Sequence, residues 1–326
     1  MELITKITAP NGGIFTGAGT NTYLIGNKDV TLIDPGPNIS EHIDNIIKIA
    51  DGRIKRILVT HTHTDHSPAA LPLSKILEVP MYGRLVDGES SWEDKTFIPD
   101  VVLNDADIIE TEEYTLEVIH TPGHASNHLC FLIRESNCLL TGDHIMDGST
   151  VVIGPPDGNM TDYITSLEKL FDYKIDSFAP GHGNFMYEPE KTIKSIIRHR
   201  LTREGKVFRK LEEAGRSDLD ELLKLVYDDV HEKLHPIARY SLEAHLEKLV
   251  LEKKIERKEN HFKVILSSTF FLFLMTFFSI ASIFISLIDS FFKTICFSSS
   301  FLPLRSILGL PIGITNSLTS FKSKSS

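Results

Sequence analysis

Ile57-Leu58-Val59-Thr60-His61-Thr62-His63-Thr64-Asp65-His66 is an apolar run that ends in four ligand-type side chains within six residues. The apolar half predicts a buried strand. In extended backbone, residues two apart point the same way, so His61 and His63 can share one metal ion, while the turn that follows can redirect Asp65 and His66 towards a second. Ions need further ligands, and three candidates follow downstream at strand ends: His124 in Thr121-Pro122-Gly123-His124, Asp143 in Thr141-Gly142-Asp143-His144, and His182 in Ala179-Pro180-Gly181-His182-Gly183. Glycine beside each of them permits the sharp turns and close backbone approach that converging loops require.

Outward from this stretch, strands and helices alternate. Asn21–Gly26 and Thr31–Gly36 read as paired strands around a Gly-Asn-Lys-Asp turn, and Ser40 reads as the cap of a helix with Ile43, Ile46, Ile47 and Ala50 at helical spacing. Leu116–Gly123, His128–Ile133 and Cys138–Asp143 predict further strands, Thr161 opens a helix, and Ser177–Gly183 is a last strand and turn. Mixed order of this kind implies an α/β fold with sheets covered by helices. Beyond Glu188 the pattern is helical: Glu190–Ala214 stopped by Gly215, Asp218 to about Val230, and Pro236–Lys254, followed by a basic strand pair, Lys254–Ile265. Three helices and a ribbon predict a winged-helix-like unit. The expected domains are 1–187, 188–265 and a tail, 266–326.

The 326 residues carry 34 Lys+Arg against 44 Asp+Glu, and the net charge of −10 divides into −13 before Leu266 and +3 from there on. An acidic body argues against a broad electrostatic surface for nucleic acid and leaves room only for a local groove. Three cysteines, Cys130, Cys138 and Cys296, form no Cys-x-x-Cys pair, which fits a reducing compartment. The opening residues contain no apolar run of signal-peptide length, so the expected location is the cytoplasm.

Taken with Asp34 on an early strand, the ordered motifs His61-x-His63-x-Asp65-His66, His124, Asp143 and His182 resemble the five-motif set of the metallo-beta-lactamase-fold hydrolases. The resemblance is greatest to the beta-lactamase-like endoribonuclease group, through Gly19–Gly26, Leu32–Pro37, Thr60–Ser67 and a helical unit containing Leu234–Leu249. It implies a four-layer αββα sandwich with a C-terminal winged-helix-like domain. It also implies that His61, His63 and His124 hold one metal, that Asp65, His66 and His182 hold the other, and that Asp143 bridges them. Asp34 would orient a ligand histidine through its ring N–H, although an Asp-Pro-Gly turn also calls for aspartate on structural grounds. Ser67-Pro68-Ala69 departs from the Gly-Gly pair of the glyoxalase II members.

Two divalent ions roughly 3.5–4 Å apart can hold a bridging water, depress its pKa towards about 7 and stabilise charge on the electrophile. Asp143 and Asp65 are then the catalytic carboxylates, Asp65 also taking a proton as the intermediate collapses. Histidine and carboxylate ligands without cysteine suit zinc and also accept iron or manganese. Three functions compete: a metal-dependent endoribonuclease acting on single-stranded RNA, a glyoxalase II-like thioesterase (hydroxyacylglutathione hydrolase) acting on a small thioester, and a nucleic-acid-binding regulator without enzymatic activity. Asn127 and His128 could face the substrate or support the ligands, and a satisfied hairpin-end histidine is the preferred account. His144, His199, His231, His235, His245 and His261 read as structural or solvent-facing. The basic wing, Lys253, Lys254, Arg257 and Lys258, is interleaved with Glu252, Glu256 and Glu259 and reads as a solvated face.

Two accounts compete for the tail. Val264–Ile288 is a stretch of 25 residues without a charge, long enough to span about 30 Å of hydrocarbon, and the lysines before it would keep the body cytoplasmic. Yet the segment from Leu266 onward holds 11 of the 19 Phe and 15 Ser with a single acid, Asp289, the composition expected of a reading-frame extension.

Overall fold

Residues 3–88, 90 and 92–265 are described by the structure, a computed structural model. Both accounts of the tail, apart from Val264 and Ile265 at the start of the expected span, lie outside the described residues; Val264 is the last residue of a strand. Among the described residues no helix is long and apolar enough to cross a membrane.

Strands β1 (Ile4–Thr8), β2 (Asn21–Ile25) and β3 (Val30–Ile33) form an antiparallel meander, and α1 (Ser40–Ala50) returns the chain to β4 (Ile54–Leu58), parallel to β3. Helix α2 (Ala70–Leu77), β5 (Met81–Gly83) and β6 (Val101–Val102) complete a six-stranded sheet in the order β1-β2-β3-β4-β5-β6. The second sheet begins with β7 (Ile108–Glu110), β8 (Thr115–His120), β9 (Leu129–Ile133) and β10 (Cys138–Gly142), all antiparallel to their neighbours. Helix α3 (Met160–Lys169) then crosses over, and β11 (Ser177–Pro180) joins parallel to β10.

Every residue of β2, β3, β9, β10 and β11 is buried, because one face of each sheet meets the other sheet and the opposite face meets helices. Tyr23, Ile33, Leu58, Leu116, Phe131 and Leu140 fill the space between the sheets. Ile43, Ile46 and Leu73 of α1 and α2 cover the first sheet, and Tyr163 and Leu167 of α3 cover the second. This is the four-layer αββα sandwich. A fully buried Leu, Ile or Phe contributes roughly 1.5–3 kcal/mol, so these three layers of contact carry most of the fold.

Helix α4 (Pro189–Ala214) serves two cores: Ile193 packs with α3, whereas Val207 and Leu211 pack with Leu222 and Leu246 of the following helices. Strand β12 (Ser217–Asp218), α5 (Leu219–Val226), α6 (His235–Leu251), β13 (Ile255–Lys258) and β14 (His261–Val264) finish a winged-helix domain with the sheet order β12-β14-β13. In the wing, Lys254 pairs with Glu252 at 2.6 Å and Lys258 with Glu256 at 3.4 Å, so two of its four basic side chains are matched by neighbouring acids.

Local expectations shift by a few residues for identifiable reasons. Ser40 is the first residue of α1 and makes no cap. Thr161 does not open α3 either; the Asn159 side chain caps it by accepting from the Thr161 and Asp162 amides. Strand β4 ends at Leu58 because the Thr60 amide turns away from the sheet to donate to the Asp34 carboxylate at 2.7 Å.

Candidate metal centre

Strands β3, β4, β8, β10 and β11 all deliver their C-terminal ends to one edge of the sandwich, and the residues just beyond those ends form the site. Asp34 follows β3 with φ 49°, a left-handed conformation that aims its carboxylate back under β4. It accepts from the Thr60 amide (2.7 Å), the Thr60 hydroxyl (2.8 Å) and His66 Nδ1–H (2.9 Å). Asp34 thus serves both the turn and the orientation of a histidine ring. With Nδ1 engaged, His66 presents Nε2 to the cleft.

The same logic orients the other rings. His61 Nδ1–H donates to Thr60 Oγ1 (3.0 Å), His124 Nδ1–H to the Val152 carbonyl (2.6 Å) and His182 Nδ1–H to the Gly19 carbonyl (3.2 Å). His61 Nε2 and His124 Nε2 then converge on His63 Nδ1 at 3.1 and 3.0 Å. Beside them, Asp143 Oδ1 lies 3.4 Å from His66 Nε2 and 3.3 Å from His182 Nε2, while its Oδ2 turns to His124 Nε2 at 3.8 Å. Asp65 Oδ2 sits 3.5 Å from His66 Nε2 and 3.2 Å from His182 Nε2. All seven residues expected to gather do so, in three overlapping groups: His61–His63–His124, His61–His66–Asp143 and Asp65–His66–His182.

This donor set fits divalent cations. His66 Nε2 and Asp143 Oδ1 are buried without a hydrogen-bond partner among the described residues, an expensive state unless a cation satisfies both. Burial, and their neighbours' charge, hold His61 well below the usual imidazole range, and burial pushes His63 down to about 3, so these rings keep lone pairs free. In the other half burial is outweighed: Asp65 and Asp143 lift His66 well up, and Asp143 and Asp65 lift His182 to about 10. Burial alone would raise the Asp143 carboxyl, but His182 and His66 hold it well below the carboxylate range. The pocket selects positive charge.

Four further residues support the cluster: Asn127 and His128, already candidates in the sequence, and Glu93 and Trp92, which escaped the sequence reading. His128 is the satisfied histidine expected at the hairpin end and also supports the cluster: it is buried, bonded through Nδ1 to Thr121 Oγ1 (2.9 Å), and its Nε2 accepts the Asp143 amide (3.1 Å). Glu93 lies antiparallel beside His63, its Oε1 3.5 Å from His63 Nε2 and its Oε2 accepting from the Thr62 hydroxyl. Asn127 donates to that same hydroxyl oxygen at 2.7 Å. Trp92, the chain's single tryptophan, stands edge-on to His63 with centroids 5.9 Å apart and meets Tyr240 of α6 at 5.0 Å. Its uniqueness was the one available signal; nothing in the spacing links 92 or 93 to the histidine run. Ser67 ties this loop down by donating to Asp94 at 2.8 Å. Of the six histidines read as structural or solvent-facing, His144 and His245 are fully buried and His199 and His231 are exposed.

Gly181 has no room for a side chain: a Cβ there would fall 2.7 Å from His66 Cε1 and 2.8 Å from Asp143 Oδ1. Gly181→Ala is expected to lower bound metal by at least one ion per chain while far-UV circular dichroism stays native. Full metal content in that variant, measured by elemental analysis, would contradict the geometry.

Residues 15–182 fit the family model of the Metallo-beta-lactamase superfamily, and residues 219–263 that of the Beta-lactamase associated winged helix domain. The chain is 32% identical over 265 residues to the Beta-lactamase-like protein 2 homolog of Drosophila melanogaster, an alignment covering 77% of this chain and 89% of that protein. It is 29% identical over 270 residues to the Atrochrysone carboxyl ACP thioesterase of Aspergillus chevalieri, covering 78% and 82%. A metallo-beta-lactamase family protein from Thermus thermophilus shares the fold with a TM-score of 0.69 at 20% identity, covering 81% of this chain and 99% of that one.

Proposed function

Because the chain belongs to the metallo-beta-lactamase superfamily and is a metal-dependent hydrolase, we propose that its substrate is single-stranded RNA, cleaved at phosphodiester bonds in the cytoplasm. The observation that carries this reading is the aromatic wall beside the metal cleft. Helix α6 turns Tyr240 onto Trp92, and Trp92 abuts His63. Both aromatic residues are half-buried. Base stacking on such a platform is worth about 1–3 kcal/mol per base and tolerates any sequence. An acidic body can therefore bind a single strand where it could not grip a duplex, whose affinity rests on phosphate contacts from Lys and Arg.

His61, His63 and His124 would hold one divalent ion and Asp65, His66 and His182 the other, with Asp143 between them; zinc suits this set, and iron or manganese are also compatible with it. When bound, such a pair supplies an activated water at neutral pH and stabilises charge developing on the electrophile. The protein's own residues hold the frame. Asp34, Thr60, Val152 and Gly19 fix the ring orientations, and neutral His128 anchors the Asp143 backbone. Asp65 directs Oδ2 to His66 and His182, which leaves Oδ1 to take up a proton as the scissile bond breaks.

A thioesterase activity is the second reading, favoured by the Aspergillus relative, whose alignment extends over 270 residues. One metal-loaded preparation assayed on labelled single-stranded RNA and on a glutathione thioester separates the two. RNA turnover is expected, with Trp92→Ala and Tyr240→Ala each raising KM for RNA by roughly 5–100-fold, the equivalent of one stacked base, and changing kcat little. Thioester turnover without RNA cleavage would replace this reading by the second.

A further inference from the structure

Arg200 is an unusual residue to bury. It lies on α4 at 3% exposure, yet its partners are a carbonyl and a ring rather than a carboxylate, and its Nε has no hydrogen-bond partner among the described residues. A buried guanidinium so incompletely paired costs stability, so its contribution is to be sought in what it holds. Its Nη2 donates to the Val151 carbonyl. The next carbonyl, Val152, faces the other way and accepts His124 Nδ1–H at 2.6 Å. The guanidinium also lies over the Tyr163 ring at 5.3 Å, and the Tyr163 hydroxyl donates to the His144 carbonyl at 3.0 Å, one residue after Asp143. Two short chains of contact thus lead from one arginine to His124 and to Asp143.

We propose that Arg200 is a positioning residue through which α4 sets the metal centre, holding His124 by way of Val151–Val152 and Asp143 by way of Tyr163–His144. The proposal rests on the reading of His124 and Asp143 as metal ligands. Arg203, less than one turn along the same helix, provides an internal comparison: it stacks on Tyr227 at 4.5 Å and pairs with Asp229 at 2.7 Å, contacts that stay away from both ligand loops.

Cobalt(II) affinity, measured by competition with a chromophoric chelator, and the visible spectrum of the cobalt-loaded protein test this on the full chain. Arg200→Met is expected to weaken cobalt binding by about 10–100-fold, the usual effect of losing a group that orients a ligand, and to alter the ligand-field bands. Arg200→Lys, which can still donate to Val151, should restore part of the affinity and remains informative if the methionine variant folds poorly. Arg203→Met should lower the melting temperature and leave cobalt affinity within about twofold of wild type, since its contacts bypass the groups that orient the ligands. Cobalt affinity unchanged in both Arg200 variants, or reduced equally in Arg203→Met, overturns the proposal. A wild-type chain that takes up no cobalt would overturn it together with the ligand assignment, a result distinguishable from the first.

Discussion

Asp143→Ala is expected to abolish turnover, by about 10³-fold or more. Its two carboxylate oxygens are divided between the halves of the cluster, Oδ1 to His66 and His182 and Oδ2 to His124, so this side chain reaches both. Electrostatic stabilisation by paired ions is worth several kcal/mol, and each 1.36 kcal/mol is tenfold in rate. Asp65→Ala is the informative contrast. Within the cluster Asp65 lies against His66 and His182, accepting also from the Thr20 hydroxyl at 3.5 Å, and its side chain is 28% exposed, so its removal should release one ion and leave the His61–His63–His124 group loaded. Elemental analysis and rates on the two variants separate these outcomes. Two retained ions and a wild-type rate in Asp143→Ala would show that nothing depends on the bridge.

The second large effect is acid sensitivity of the metal-free protein. Burial, first among the causes in every case, lowers His61, His63, His124, His128 and His144, with His63 and His144 held down to about 3. A group whose folded pKa lies below its unfolded value of about 6.5 binds fewer protons in the folded state, so stability falls as pH drops below 6.5 towards the folded value. Each such imidazole contributes a slope of up to about 1.4 kcal/mol per pH unit. His182 runs the other way: with its folded pKa at about 10, its contribution is complete below about 6.5 and is lost as pH rises through 10. Chelator-treated protein should therefore be most stable near pH 6.5 and lose several kcal/mol by pH 5. Loaded protein should keep its alkaline-side stability, because cations replace the proton on His182. Urea midpoints across pH 5–9, with and without chelator, measure this; a metal-free midpoint that stays level from pH 7 to pH 5 would refute it.

The candidate ligands were legible in sequence because the strand geometry that presents them is local. His61 and His63 alternate along extended backbone, and His124, Asp143 and His182 each follow a glycine at the end of an apolar strand, where a sharp turn is written into the residue types. The winged helix was legible from helical periodicity and the ribbon that follows. Helix starts were less so: Asn159 outcompeted Thr161, and no cap formed at Ser40, since capping depends on which side chain the folded turn brings within reach of the free amides.

Seven ligand-type residues, their order and the α/β class were thus determined by the sequence itself, since strand alternation and turn chemistry act over a few residues. Asp34 apart, only tertiary structure decided which contacts the supporting residues make. Glu93 reaches His63 through a long-range bridge, His128 reaches Asp143 across a hairpin, Tyr240 reaches Trp92 from a later domain, and Arg200 reaches Val151 from α4. None of these pairs has a characteristic spacing. The physical reason is that a ring nitrogen or carbonyl is satisfied by whichever partner packing carries to it, and packing is settled by the burial of whole layers rather than by any local pattern.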